Sequence, residues 1–149
     1  MKYHTENELQ NFRFEGAYLA ETCAVNGIFE LILDNVKILP QNSCNRDIRE
    51  MRTNELKLKI REPHIEALIE EGYKVYDANG NLKEQKEDVS IAPENYAAKL
   101  KELCGCEIYS IEQQENIYTI SIDTEDHTFL LRVSGSADAE EWDRFLAID

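Results

Sequence analysis

Asn26-Gly27, set between two runs of alternating apolar and polar residues, constrains this chain more than any other feature. The pair supplies the two positive-φ residues of a type I′ turn, so the flanking runs are predicted strands of one hairpin. Phe12 to Val25 alternates, and so does Ile28 to Leu39. Closing the turn there pairs Val25 with Ile28 and Phe14 with Leu39. One face then carries Phe12, Phe14, Tyr18, Ala20 and Ala24 beside Phe29, Leu31, Leu33 and Leu39. The other mixes Arg13, Glu15, Glu21, Glu30 and Asp34 with Leu19, Val25, Ile32, Val36 and Ile38. An apolar face of that length has to pack against a second layer.

Pro40 ends the second strand, and the polar stretch 41–54 is expected to be a loop with a short helical turn. Glu55 to Arg61 alternates strictly and predicts a half-buried strand. Pro63 and Gly72 bracket an expected short helix over 64–71. Tyr73 to Tyr76 is a short strand, followed by a turn at Asp77-Ala78-Asn79-Gly80. Residues 81–90 form an edge strand or a loop. Pro93 opens a helix to about Leu103, with Tyr96, Leu100 and Leu103 on one stripe. Three strands then follow as a meander, 108–112, 117–123 and 128–133, with Tyr118, Ile120 and Ile122 on one face of the middle one. Asp138 with Glu141 three residues later resembles a capping box before a last helix bearing Trp142, Phe145 and Leu146.

Strand runs outnumber helices and are joined mainly by hairpins, which predicts an α+β fold: a mainly antiparallel sheet with two or three helices packed on it. The hairpin and the meander belong either to one sheet or to two sheets face to face. The 149 residues correspond to one domain, 1–149. Such a chain buries about two thirds of its unfolded surface and needs no metal or disulfide to fold.

Charge bears on function. Residues 102–149 hold twelve carboxylates against Arg132 and Arg144, a net of −10, while the whole chain carries −14. A field of one sign repels phosphate and anionic lipid and attracts cations. Nucleic acid and membrane are therefore not expected as partners, and a cationic protein is. Met1 to Glu8 lacks the apolar core of a secretory signal, so a cytoplasmic location is expected. The thiols of Cys23, Cys44, Cys104 and Cys106 are then expected to be reduced. No phosphate-cradling glycine motif, zinc-protease helix or nucleophile elbow occurs in the sequence. No catalytic residue, metal or cofactor is assigned.

Two sets of candidate site residues remain. Arg46, Arg49 and Arg52 recur every third residue, and on a helical turn they would share one side. Guanidinium forks there would hold a carboxylate or phosphate ligand, with Cys44 just upstream. The plainer alternative is that Asp47, Glu50 and other acids neutralise them. The second set is acidic. Glu125, Asp126, Glu140, Glu141 and Asp143 belong to the predicted meander and last helix, where they would present a negative face to a cationic partner. The run Asp123 to His127 is also dense in oxygen ligands, but it lacks the glycine and distal glutamate of a calcium loop. The leading expectation is an acidic protein-interaction module. The alternative is a small-molecule binding protein or small enzyme with an arginine-lined pocket between sheet and helices.

Overall fold

A computed structural model describes residues 1–148. Fifteen strands alternate with short turns. They are β1 Tyr3–Glu6, β2 Phe12–Arg13, β3 Tyr18–Val25, β4 Ile28–Asp34, β5 Val36–Ile38 and β6 Met51–Thr53. Then come β7 Leu56–Arg61, β8 His64–Glu70, β9 Tyr73–Tyr76, β10 Leu82–Lys86 and β11 Val89–Ser90. After a 3-10 turn at Pro93–Asn95 and the helix α1, Tyr96–Glu102, the chain ends with four more strands. These are β12 Glu107–Gln114, β13 Ile117–Asp123, β14 Thr128–Ser134 and β15 Ala137–Trp142.

Ten strands form one sheet in the order β1-β15-β7-β4-β3-β12-β13-β14-β8-β11, antiparallel throughout. The sheet doubles over. Strands β13 and β15 are separated by four others in sheet order, yet Tyr118 of β13 donates a 2.7 Å hydrogen bond to Asp138 of β15. Gly135, in the β14–β15 turn, lies where a Cβ would strike Ile60 of β7 and approach Tyr118. The fold line is the join of β3 to β12, where Leu19 N–H donates to the Cys106 carbonyl and Ile108 N–H to that of Ala17. Leu31, Leu33, Leu56, Leu58 and Ile60 of one half-sheet and Tyr118, Ile120, Ile122, Leu131 and Val133 of the other fill the space between the halves. The two sequence-based alternatives thus merge: one hydrogen-bonded sheet is packed face to face with itself.

The fold is mainly β, with 54% of residues in strands and 9% helical, the latter being one stretch of ten residues and a short 3-10 turn at Leu9–Asn11. That corrects the expected α+β fold with two or three helices. Two helices of the sequence reading are strands. Residues 64–70 form β8 because their backbone pairs antiparallel with β14 along its length. The terminal segment forms β15, with Asp138, Glu140 and Trp142 all facing inward at 1%, 0% and 0% exposure. Two buried carboxyls on the core face disguised a strand period as a helix cap.

The Asn26-Gly27 turn is present, with φ of 55° and 72°, and Val25 pairs with Ile28. Its far end is not as read. A bulge between Leu19 and Glu21 shifts β3 by one residue, which turns Leu19 inward and Tyr18 out to solvent. Phe12 then pairs with Ile38, replacing the expected Phe14–Leu39 pair. The three-strand meander and the helix stripe of Tyr96, Leu100 and Leu103 stand as expected. The β9–β10 hairpin forms a separate two-stranded sheet with nearly every residue exposed.

Candidate acidic interface

The outer face of the doubled sheet divides into two regions of different electrostatics. On β7, strict alternation points Leu56, Leu58 and Ile60 inward and Lys57, Lys59 and Arg61 outward. Each of these cations meets an acid from another element. Lys57 pairs with Glu30 at 3.5 Å, Lys59 with Glu141 at 2.8 Å and Arg61 with Glu6 at 2.7 Å. His4 lies 3.3 Å from Glu141 and 3.4 Å from Glu6. The Lys59 ammonium and His4 hold the Glu141 carboxyl below its usual range against the opposing effect of its burial. This region is a charge ladder with its acids cancelled.

The next four strands, β4, β3, β12 and β13, contain no lysine, arginine or histidine. Three of their outward carboxylates lie in one cross-strand row. Asp34 is the cross-strand partner of Tyr18, Tyr18 of Glu107, and Glu107 of Asp123. Asp34 accepts the Glu55 backbone N–H at 2.9 Å, and Asp123 accepts the Thr128 hydroxyl at 2.8 Å. Among the described residues none of Asp34, Glu107 and Asp123 forms an ion pair. Glu107 directly opposite Asp123 is a like-charge cross-strand pair, which opposes folding by a few tenths of a kcal/mol. Tyr18 within this row and Tyr109 on β12 are 47% and 60% exposed, and Glu112 lies further along β12. Arg144 shares a hollow with Tyr18, Asp34 and Glu55 without pairing with either acid.

The sequence-derived acids are dispersed by the fold. Glu125 and Asp126 are exposed in the β13–β14 turn, where they line a hollow with Glu71 and Tyr73. Glu141 belongs to the ladder. Asp143 is exposed and accepts the Lys2 backbone N–H at 3.1 Å. Glu140 is fully buried and cannot touch a partner, a correction that follows from β15 being a strand with Glu140 on its core face. There Glu140 accepts the Thr5 hydroxyl at 2.8 Å and lies within hydrogen-bonding reach of Asp138. Burial, with the Asp138 carboxylate next to it, pushes the Glu140 carboxyl up to about 9. Asp138 Oδ2 and Glu140 Oε2 are buried with no hydrogen-bond partner among the described residues, which disfavours the ionised form of Glu140.

The arginines do not converge on a helical turn, because 46–50 is a bent loop and Met51–Thr53 is β6. Arg49 is closed on Asp47 at 3.1 Å, and Glu50 is taken by Arg13 at 2.6 Å. Arg52 bridges through its backbone to Leu146. Arg46 and Cys44 line a small apolar hollow with Tyr3 and Phe145, while Arg49 and Arg52 do not. Among the described residues no group of three or more histidine, cysteine, aspartate or glutamate side chains converges as a metal site. No helix among them is long and apolar enough to cross a membrane.

Comparison with known proteins identifies no matching family model, no similar curated protein and no similar solved structure.

Sequence reasoning missed Tyr18, Asp34, Glu107, Tyr109 and Asp123 as one surface. The signal was partial: the predicted segments 108–112 and 117–123 lack any cation, but the two hairpin runs as read from the sequence include Arg13 and Lys37, and only the observed bounds of β3 and β4 leave them out. Knowing that these four are neighbours required the sheet order.

Proposed function

We propose that the protein is an interaction module that binds a cationic protein partner through the outer face of β3, β12 and β13. The observation that carries this reading is the row Asp34–Tyr18–Glu107–Asp123, whose three acids lack ion pairs, contrasted with the neutralised ladder on β7. Leaving like charges opposed opposes folding, and a cationic partner removes that repulsion on binding. Tyr18 and Tyr109 supply large, rigid contact area with a polar tip, the type of residue enriched at protein interfaces. Electrostatic steering speeds encounter and makes it sensitive to salt.

Immobilised protein is challenged with extract of its source cell at low and high salt, beside the variant Glu107→Gln/Asp123→Asn. The reading expects a basic protein held at low salt, released by high salt and lost from the variant. Equal retention by both forms contradicts it.

A further inference from the structure

A second site, independent of the acidic surface, lies at one open end of the doubled sheet. Interior positions of a sheet packed on itself are normally filled by large aliphatic side chains at native density. Beyond the bulge in β3 the inward positions facing Phe29 and Leu31 are small, Ala24 and Thr22. Ala24 is exposed although its cross-strand partner, Phe29, is buried in the core. The opposite wall is Ile65 of β8, and the side is closed by α1 through Tyr96 and Ala97. A cleft of about 770 Å³ remains between these surfaces. That lies within the roughly 300–1,000 Å³ typical of small-molecule sites, which are concave, mainly apolar and bounded by a few polar groups.

The polar groups of the rim define the ligand's charge. Glu21 and Lys101 are both exposed there, and neither forms an ion pair among the described residues. One acid and one amine give no net preference for an ionic head, and the −14 of the chain opposes an anion. We infer that this cleft is a binding site for an uncharged, predominantly apolar small molecule. The ligand lies between Ala24 and Ile65 with its flank against α1. Cys23 and Cys104 also border the cleft, so a bound molecule screens both thiols, whereas Cys44 borders a different hollow.

The test uses the neutral fluorophore N-phenyl-1-naphthylamine and its anionic relative 1-anilinonaphthalene-8-sulfonate. The neutral probe is expected to bind saturably with enhanced emission, and at least tenfold more tightly than the sulfonate. Ala97→Phe, at an exposed helix position that leaves the core untouched, fills the cleft and is expected to weaken binding at least tenfold. On the unmodified protein, saturating neutral probe slows iodoacetamide modification of Cys23 and Cys104 while leaving Cys44 unchanged. Absence of saturable binding, tighter binding of the sulfonate, undiminished binding by Ala97→Phe, or equal protection of all three thiols each overturns the inference.

Discussion

Tyr118 donates from its hydroxyl to Asp138 Oδ1 at 2.7 Å, and with that bond it ties β13 to β15 across the interior of the doubled sheet. Tyr118 and Asp138 are both buried, and Asp138 finds no cation. Burial and the adjoining carboxyls hold the tyrosine hydroxyl in its protonated, donating form. Tyr118→Phe keeps the ring and removes the donor, leaving a buried acceptor unsatisfied. It is expected to lower stability by about 2–3 kcal/mol, measured by urea denaturation. A loss below about 0.5 kcal/mol would mean the bond does not hold the two halves together.

Glu140 gives the protein an unusual dependence on pH. Its carboxyl is neutral in the folded protein up to about 9, against an ordinary value of 4.5. Its stabilising contribution is therefore complete below the ordinary value, shrinks as pH rises and is gone once pH passes the folded value. The unfolding free energy from urea denaturation is expected to fall by roughly 1 kcal/mol per pH unit between the ordinary and the folded value. Glu140→Gln, which cannot ionise, is expected to flatten that slope. Glu8, Glu66 and Glu141 act in the opposite sense, since each is held below 4.5 and loses its contribution as pH falls through its folded value. An unchanged slope in Glu140→Gln would show that the buried Glu140 carboxyl is not what the pH dependence reports.

Gly135 is required by the closeness of the two halves. An added Cβ would run into Ile60 and come within 2.9 Å of the Arg61 carbonyl oxygen, and the latter is backbone that cannot swing aside. Gly135→Ala is expected to cost about 1–3 kcal/mol with no change in pH dependence, as seen in thermal melts at two pH values. Gly105, at the opposite end of the meander, is required for a different reason: nothing crowds it, but its φ is 93°.

The ladder and the acidic row are expected to respond oppositely to neutralisation. Glu141→Gln removes the partner of Lys59 and lowers stability by a few tenths of a kcal/mol up to about 1, without affecting partner binding. Glu107→Gln relieves repulsion from Asp123, raises stability by about 0.2–0.5 kcal/mol at low salt and weakens partner binding. Paired melting and binding measurements on the two variants check this, and parallel behaviour would contradict the division of the surface.

Much of the architecture was legible where local signals agree with tertiary pairing. Asn26-Gly27 fixes its turn through backbone chemistry alone, and Tyr118, Ile120 and Ile122 declare the core face of β13 by alternation. The bulge at Ala20 was not legible, because nothing in Tyr18 to Glu21 marks the extra residue, and it reverses which of Tyr18 and Leu19 faces inward. Strand β15 was hidden for a different reason. Burying Asp138 and Glu140 violates the expectation that carboxylates face water, and the Tyr118 and Thr5 hydroxyls offset part of that cost. The acid count near the carboxyl terminus was read correctly as composition, but it overstated the surface charge. Asp138 and Glu140 are interior, and Glu141 is cancelled by Lys59.

The central claim, that cations dock on the strands without basic residues, is tested most directly by amide NMR during titration with a lysine- and arginine-rich peptide at low salt. Binding at the row shifts the resonances of Tyr18, Glu107, Tyr109 and Asp123, leaves Lys57 to Arg61 unmoved, and disappears in Glu107→Gln/Asp123→Asn. Shifts spread evenly over exposed acids remote from the row, such as Glu62 and Glu94, or persisting in the variant, would contradict it.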